Sequence, residues 1–254
     1  MNLKRPVYKM LIAYDGTQYG GWQSQINTVS IQALIQDALS TILRKKTAVT
    51  ASGRTDAGVH ALGQVAHFIH HEELNLSKIL FSLNALLPPD IRILALDRAA
   101  FSFHARFSAV SKLYHYYLHL DPALDPFQRL YTYRPPHSVD LSLLSEGARY
   151  FIGTHDFTSF ANTRCSSSKN GNIRTIHRLD IMEQEKGVCL AFEGNGFLYK
   201  MVRNIVGSLL DVCRGKLFLK DIPRIFEAKD RRAAGIAAPP QGLFLMQVHY
   251  TETT

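Results

Sequence analysis

Hydrophobic and polar positions switch between two periods along this chain. Residues 7–14 are an apolar run with Tyr, Ile and Val, which predicts a strand. A loop rich in Gly, Gln and Asn follows over 15–29. Behind Ser30, a good helix cap, Ile31, Leu34, Ile35, Ala38, Leu39 and Ile42 recur at helical spacing. Gln36, Asp37, Ser40, Thr41 and Arg44 occupy the other face, the pattern of an amphipathic helix lying on a sheet. Residues 47–52 and 62–70 are strand-like and flank a short glycine-bracketed loop. A second helix is predicted behind Ser77, on Ile79, Leu80, Leu83 and Leu86, and Pro88-Pro89 stops it. Residues 112–120 alternate strongly, with Tyr114, Tyr116, Leu118 and Leu120 on one face and Leu113, His115, Tyr117 and His119 on the other.

The stretch 121–137 carries Pro122, Pro126, Pro135 and Pro136 and reads as a connection between halves. Beyond it, 140–151 reads as a helix. Residues 176–184 and 188–194 read as paired strands turned by Glu185-Lys186-Gly187. A long helix is predicted over 197–213, with apolar rows Met201/Ile205/Leu209 and Val202/Val206/Leu210, and a closing strand over 244–251. The Ser-rich segment 165–172 reads as a mobile loop. Element types thus recur on both sides of the break. The expectation is an α+β fold: a first half over 1–120, the Pro-rich connection 121–137, and a second half over 138–254, sharing a mostly antiparallel sheet with flanking helices. The two halves show no strong sequence repeat.

Charge narrows the partners. Lys plus Arg exceed Asp plus Glu by 29 to 21, a net charge of +8 with a pI near 9.4, which suggests a polyanion such as nucleic acid. Cys165, Cys189 and Cys213 form no Cys-x-x-Cys pair and are odd in number, so neither a disulfide framework nor a zinc site is indicated. A reducing cytoplasm is the expected setting. The opening Met1-Asn-Leu-Lys-Arg-Pro6 lacks the apolar stretch of a signal peptide, and no window approaches the ~18 apolar residues of a spanning helix.

Candidate chemistry sits in Ala51-Ser-Gly-Arg-Thr-Asp-Ala-Gly-Val-His-Ala61. Gly53 and Gly58 bracket a loop with one carboxylate, Asp56, two residues from Arg54. A nearby arginine favours the charged carboxylate, ready to attack or to accept a proton. The same string also suits an ordinary turn in which Asp56 caps its own backbone. Arg203 lies on the helix flank away from both apolar rows, where solvent exposure and function are equally open. Tyr114 sits in an aromatic strand, where a core ring is the plain expectation. His60, His67, His70 and His71 lack a matching acidic or Cys cluster and read as neutral, satisfied histidines rather than metal ligands. Arg44-Lys45-Lys46 and Lys229-Asp-Arg-Arg232 suit solvated faces and phosphate contacts equally.

The 51–61 segment resembles the signature loop of the TruA family of tRNA pseudouridine synthases. Seven further blocks occur in the family's order. They are Tyr14-Asp-Gly-Thr-Gln-Tyr-Gly-Gly-Trp-Gln-Ser-Gln25, Asn84-Ala-Leu-Leu-Pro-Pro-Asp-Ile91 and Phe103-His-Ala-Arg-Phe-Ser-Ala109, then Asp156-Phe-Thr-Ser-Phe160 with Arg174-Thr-Ile176, Met201-Val-Arg-Asn-Ile-Val-Gly207, and Ala238-Pro-Pro-Gln-Gly-Leu-Phe-Leu245. The resemblance implies two ferredoxin-like halves with the active cleft between them. It implies that Asp56 is the catalytic nucleophile and that Arg203 ion-pairs with it. Arg54 would position the flipped nucleotide or fill the space its base vacates, and Tyr114 would stack on the uracil. The product is an isomer of the substrate, so no cofactor, group donor or metal is demanded. The implied substrate is tRNA, at uridines 38 to 40 of the anticodon stem-loop, and the implied assembly is a homodimer. Two rivals remain at this stage: a non-catalytic RNA-binding module using aromatic sheet residues, and an N-glycosidase acting on RNA.

Overall fold

The structure, a computed structural model, describes residues 5–162 and 171–251. Strand β1 spans Val7–Tyr14, as the apolar run predicts. Helix α1 spans Ile31–Leu43: the Ser30 side chain accepts from Ala33 N, and Ile31, Ile35, Ala38 and Leu39 are buried. Strand β2 is only Thr50–Ala51, and β3 covers His60–Ile69. Helix α2 spans Leu76–Leu86, two residues earlier than a Ser77 cap allows. Asn75 is the cap instead, its side-chain oxygen accepting from Lys78 N at 3.1 Å. Leu87 ends the helix in an extended conformation, as the following Pro88 requires.

Strand β4 (Ile91–Ala99) is an element the pattern does not predict; it buries Ile91, Ile93 and Leu96, a spacing that breaks strict alternation. Strand β5 covers Ala109–His119, and of its two alternating faces the one with Tyr114, Tyr116 and Leu118 is buried. Helix α3 (Leu141–Arg149) is capped by Asp140, β6 is a short strand over Gly153–Asp156, and β7 (Ile173–Gln184) and β8 (Gly187–Gly194) form the expected hairpin. Helix α4 spans Met201–Cys213 and starts four residues later than the pattern predicts, because Lys200 adopts a left-handed conformation (φ 60). Helix α5 (Asp221–Ala228) buries Ile222 and Ile225, and β9 (Leu243–Tyr250) closes the chain. Short β6 and α5 escaped sequence reading because each offers too few residues to show a period. Of the predicted Ser-rich loop, residues 165–170 lie outside the described residues.

The chain forms two compact units, Met1–Val110 with Phe244–Thr254, and Ser111–Leu243. In the first, β1 lies between β4 and β3, β2 pairs with the far edge of β3, and all these pairings are antiparallel. The sequence β1-α1-β2-β3-α2-β4 in the order β4-β1-β3-β2 is the ferredoxin-like arrangement. A linear break at 121–137 would place β9 with the second half. It belongs to the first unit because it pairs in parallel with β3, Phe244 opposite His60 and Leu245 opposite Ala61. The Pro-rich stretch lies inside the second unit, tied to β5 by His119 N–H to Tyr133 O (2.9 Å) and Tyr133 N–H to Tyr117 O (3.0 Å).

The second unit runs β5-β8-β7-β6, again antiparallel. Apart from β6, inserted between α3 and β7, its path β5-α3-β7-β8-α4 repeats β1-α1-β2-β3-α2 of the first unit, with the hairpin's second strand beside the opening strand in both. The duplicated layout therefore exists in topology without a visible sequence repeat. Packing needs only the same pattern of apolar faces, not the same residues.

Candidate active site

In the first unit, the chain between β2 and β3 crosses from Ser52 to Val59 without regular structure. Exposure alternates along it: Arg54 is exposed, Thr55 buried, Asp56 half-buried. Thr55 is thus the inward anchor between Arg54 and Asp56. Its hydroxyl lies 2.8 Å from the Tyr14 hydroxyl, and its carbonyl accepts the Trp22 N–H at 3.1 Å. The second contact requires glycine at position 21. A Cβ there would fall 2.6 Å from Thr55 O and 2.9 Å from Asp56 C, and Gly21 has φ +95. Gly58 (φ 76) turns the chain back, with its N–H on Tyr19 O at 3.3 Å, and Val59 N–H closes the turn on Asp56 O at 3.2 Å.

From behind, Gln64 completes the frame. It is fully buried in the middle of β3. Its side-chain oxygen accepts from Ser52 Oγ at 2.8 Å, while its Nε2 donates to Gly53 O at 3.0 Å and toward the Tyr14 hydroxyl at 3.4 Å. Burial pushes the Tyr14 phenol up to about 12, so the hydroxyl keeps its proton at any ordinary pH. The block 14–25 and the loop 52–59 are therefore one construction. Nothing in the spacing of Tyr14, Thr55 and Gln64 along the chain marks them as partners. A glutamine amid Ala61, Leu62, Val65 and Ala66 was the available signal, since burying an amide is unfavourable unless it is bonded.

Arg54 makes no hydrogen bond or ion pair among the described residues. Tyr114 and Arg203 belong to the second unit. Tyr114 is 7% exposed on β5 and takes the edge of Phe197 at a ring separation of 5.1 Å. Arg203 sits in the first turn of α4, half-buried rather than freely solvated. Its Nε donates to Ala238 O at 2.7 Å, and its own carbonyl accepts the Ala238 N–H at 2.9 Å. Pro239 O accepts the Tyr116 hydroxyl at 2.8 Å. The segment 236–239 can approach α4 this closely only because residue 207 is glycine: a Cβ there would lie 1.7 Å from Ile236 O. Asn204, next along, donates to Phe160 O (2.7 Å) and Asn162 Oδ1 (2.9 Å). The block Met201–Gly207 is thus a packing device around one arginine.

The family model described as tRNA pseudouridine synthase matches residues 10–108 and 148–251. The chain belongs to the tRNA pseudouridine synthase family. It is 55% identical over 246 residues to tRNA pseudouridine synthase A 1 of Protochlamydia amoebophila, covering 96% of each chain. It is 48% identical over 242 residues to tRNA pseudouridine synthase A of Chlamydia muridarum, covering 94% of this chain and 90% of the relative. Against tRNA pseudouridine synthase A of an Exiguobacterium species it is 43% identical over 242 residues, covering 95% and 97%. As a pseudouridine synthase the protein is an isomerase. Arg54, Asp56 and Arg203 fall within the family-matched residues, whereas Tyr114 falls between the two matched segments.

The remaining candidates sort into scaffold roles. In this synthase His60 Nδ1 accepts the Gly16 N–H at 3.1 Å and its ring stacks on Phe244 at 4.5 Å. His67 Nδ1 accepts the Ala105 N–H at 3.2 Å, and burial lowers its pKa, favouring the neutral ring. His70 and His71 stack on one another, and His71 meets Lys45. Of the basic runs, Arg231 is a clamp, donating to Asn204 Oδ1 at 2.8 Å and Ala234 O at 3.2 Å. Arg232 pairs with Asp230 and Lys229 with Asp156. Arg44, Lys45 and Lys46 remain exposed. No helix among the described residues is long and apolar enough to cross a membrane.

Proposed function

We propose that this protein isomerises uridine to pseudouridine in the anticodon stem-loop of tRNA, at positions 38 to 40, with Asp56 as the nucleophile. The observation that carries this reading is the braced loop itself: a family member presents one carboxylate and one exposed arginine on either side of a buried threonine. In the reaction the N1–C1′ bond breaks, the uracil turns, and C5 bonds to C1′. The C5 proton leaves and N1 gains one, so the atoms balance without a cofactor. Covalent attack by the carboxylate splits this exchange into two easier steps. The base must leave the stack first. Arg54, exposed beside Asp56, suits a contact to the flipped nucleotide or to the gap it leaves. From the resemblance we carry over Arg203 as the ion-pair partner that orients the carboxylate. Release of tritium from 5-tritiated uridine in tRNA, with the RNA chain intact and no free uracil, tests the activity. Free uracil would instead identify an N-glycosidase, and binding without release a passive RNA-binding module.

Tyr114 is proposed to stack on the uracil, an interaction worth roughly 1–3 kcal/mol per base. Tyr114→Phe is expected to bind tRNA nearly normally, because the ring survives, but to turn over more slowly. Tyr114→Leu should be worse in both. Wild-type rates in both variants would leave Tyr114 as a core ring only.

Binding is expected to be steeply salt-dependent, following the net charge of +8. With several phosphates neutralised, affinity should fall at least about tenfold between roughly 50 and 200 mM salt. A flat titration would remove the electrostatic part of the proposal. The resemblance further supports a homodimer, which light scattering at micromolar concentration checks. A cytoplasmic location follows from the substrate and is checked by cell fractionation.

A further inference from the structure

We propose that Tyr14, Thr55 and Gln64 are positioning residues that fix the backbone from which the Asp56 carboxylate projects, and so set the rate of the chemical step. The inference rests on the reading of Asp56 as nucleophile.

The hydrogen bonds have one consistent direction. Gly53 O can only accept, so the Gln64 atom 3.0 Å from it is the amide nitrogen. The amide oxygen is then free to accept from Ser52 Oγ at 2.8 Å. With its second N–H turned toward the Tyr14 oxygen at 3.4 Å, the Tyr14 hydroxyl directs its own proton to Thr55 Oγ1 at 2.8 Å. One side chain on β3 thereby holds Ser52 and Gly53, and one on β1 holds Thr55. These contacts grip the chain before and after Arg54 and end one residue short of Asp56. The Trp22 N–H holds the Thr55 carbonyl from the other side at 3.1 Å.

Simple packing does not explain this choice of residues. Ser52 and Gln64 are fully buried, Tyr14 and Thr55 nearly so. Val65 and Ala66, which follow Gln64 on β3, are buried apolar residues, so a side chain of that kind could fill the same place. A connected set of four buried polar groups is unfavourable to desolvate and is kept where geometry must be unique. A nucleophile has that need, because a displacement of about 1 Å can lower a rate about a hundredfold.

The test compares Tyr14→Phe, Thr55→Val and Thr55→Ser with Asp56→Asn, measuring single-turnover pseudouridine formation, tRNA affinity and thermal melting. Tyr14→Phe and Thr55→Val each delete one hydroxyl from a buried pair and keep the shape. Both are expected to lower the single-turnover rate about tenfold or more, with tRNA affinity within about threefold and a single cooperative melt. Thr55→Ser, which keeps the hydroxyl, should stay within about threefold of the wild-type rate. The double variant should be no worse than the poorer single one, because both lose the same bond. Full rates in Tyr14→Phe and Thr55→Val beside an inactive Asp56→Asn would overturn the proposal and leave the nucleophile standing. So would losses of affinity as large as the losses of rate. An active Asp56→Asn would overturn the underlying reading instead.

Discussion

Asp56→Asn is expected to abolish pseudouridine formation, by at least about a thousandfold, the scale seen when an essential nucleophile is removed. Affinity for tRNA should stay within about tenfold. Asparagine has the same shape but cannot attack carbon as a carboxylate does. The anchors of the loop lie elsewhere, on Tyr14, Trp22 and Gln64, so the backbone of the site should survive the change. Affinity is expected to come from basic residues meeting phosphates, and one carboxylate removed from a chain of net charge +8 does not oppose that. Single-turnover assays with saturating purified enzyme, together with filter binding, separate the two quantities. Measurable turnover by Asp56→Asn would rule it out as the nucleophile.

Gly207→Ala is expected to be the most damaging small substitution in the second unit. Helix propensity alone predicts the reverse, a gain of about 1 kcal/mol, since Gly207 lies inside α4. The collision decides the sign. A Cβ at 207 would meet Ile236 O at 1.7 Å and its carbon at 2.8 Å, both backbone atoms that no rotamer can move aside. Segment 236–238 would have to retreat, breaking the paired hydrogen bonds between Arg203 and Ala238. The expected loss is about 3 kcal/mol or more, the upper range for overpacking. In a chain of this size that is a fall of roughly 6–12 °C in melting temperature. Gly215 is the control: it has φ +73 but nothing within 4 Å of a new Cβ, so Gly215→Ala meets only backbone strain of about 1 kcal/mol. Calorimetry on the two variants checks the contrast. A stabilised Gly207→Ala would mean that α4 and the 236–238 segment are not in contact as described.

Much of this protein was legible before any fold was known. Strand β1 and helix α1 were readable because a continuous apolar run and a clean 3.6-residue period need no partner to be recognised, and Ser30 marked the helix start. The alternation of β5 was readable as well, though not which of its two faces is buried. The candidate loop was legible as a glycine-bracketed carboxylate, and the order of eight motif blocks made the family visible. Boundaries were less secure wherever two residues competed for one role. Asn75 capped α2 in place of Ser77, and Lys200 delayed the start of α4, because local backbone geometry depends on what the next segment packs against.

The sequence by itself determined most of the element types, the charge, the family and the position of the candidate loop, because each of these is carried by residues close together in the chain. Tertiary structure alone decided which distant residues hold that loop. Tyr14 meets Thr55 across 41 positions and Gln64 across 50, and no periodicity links them. It also decided that β9 joins the first unit and that Gly207 serves a segment some thirty residues further on. It revealed a duplicated strand order that no repeated sequence announces. The physical reason is the same in each case. Propensity and patterning act over a few residues, whereas hydrogen-bond partners and steric clearances are set where remote segments are brought into contact by burial of their apolar faces.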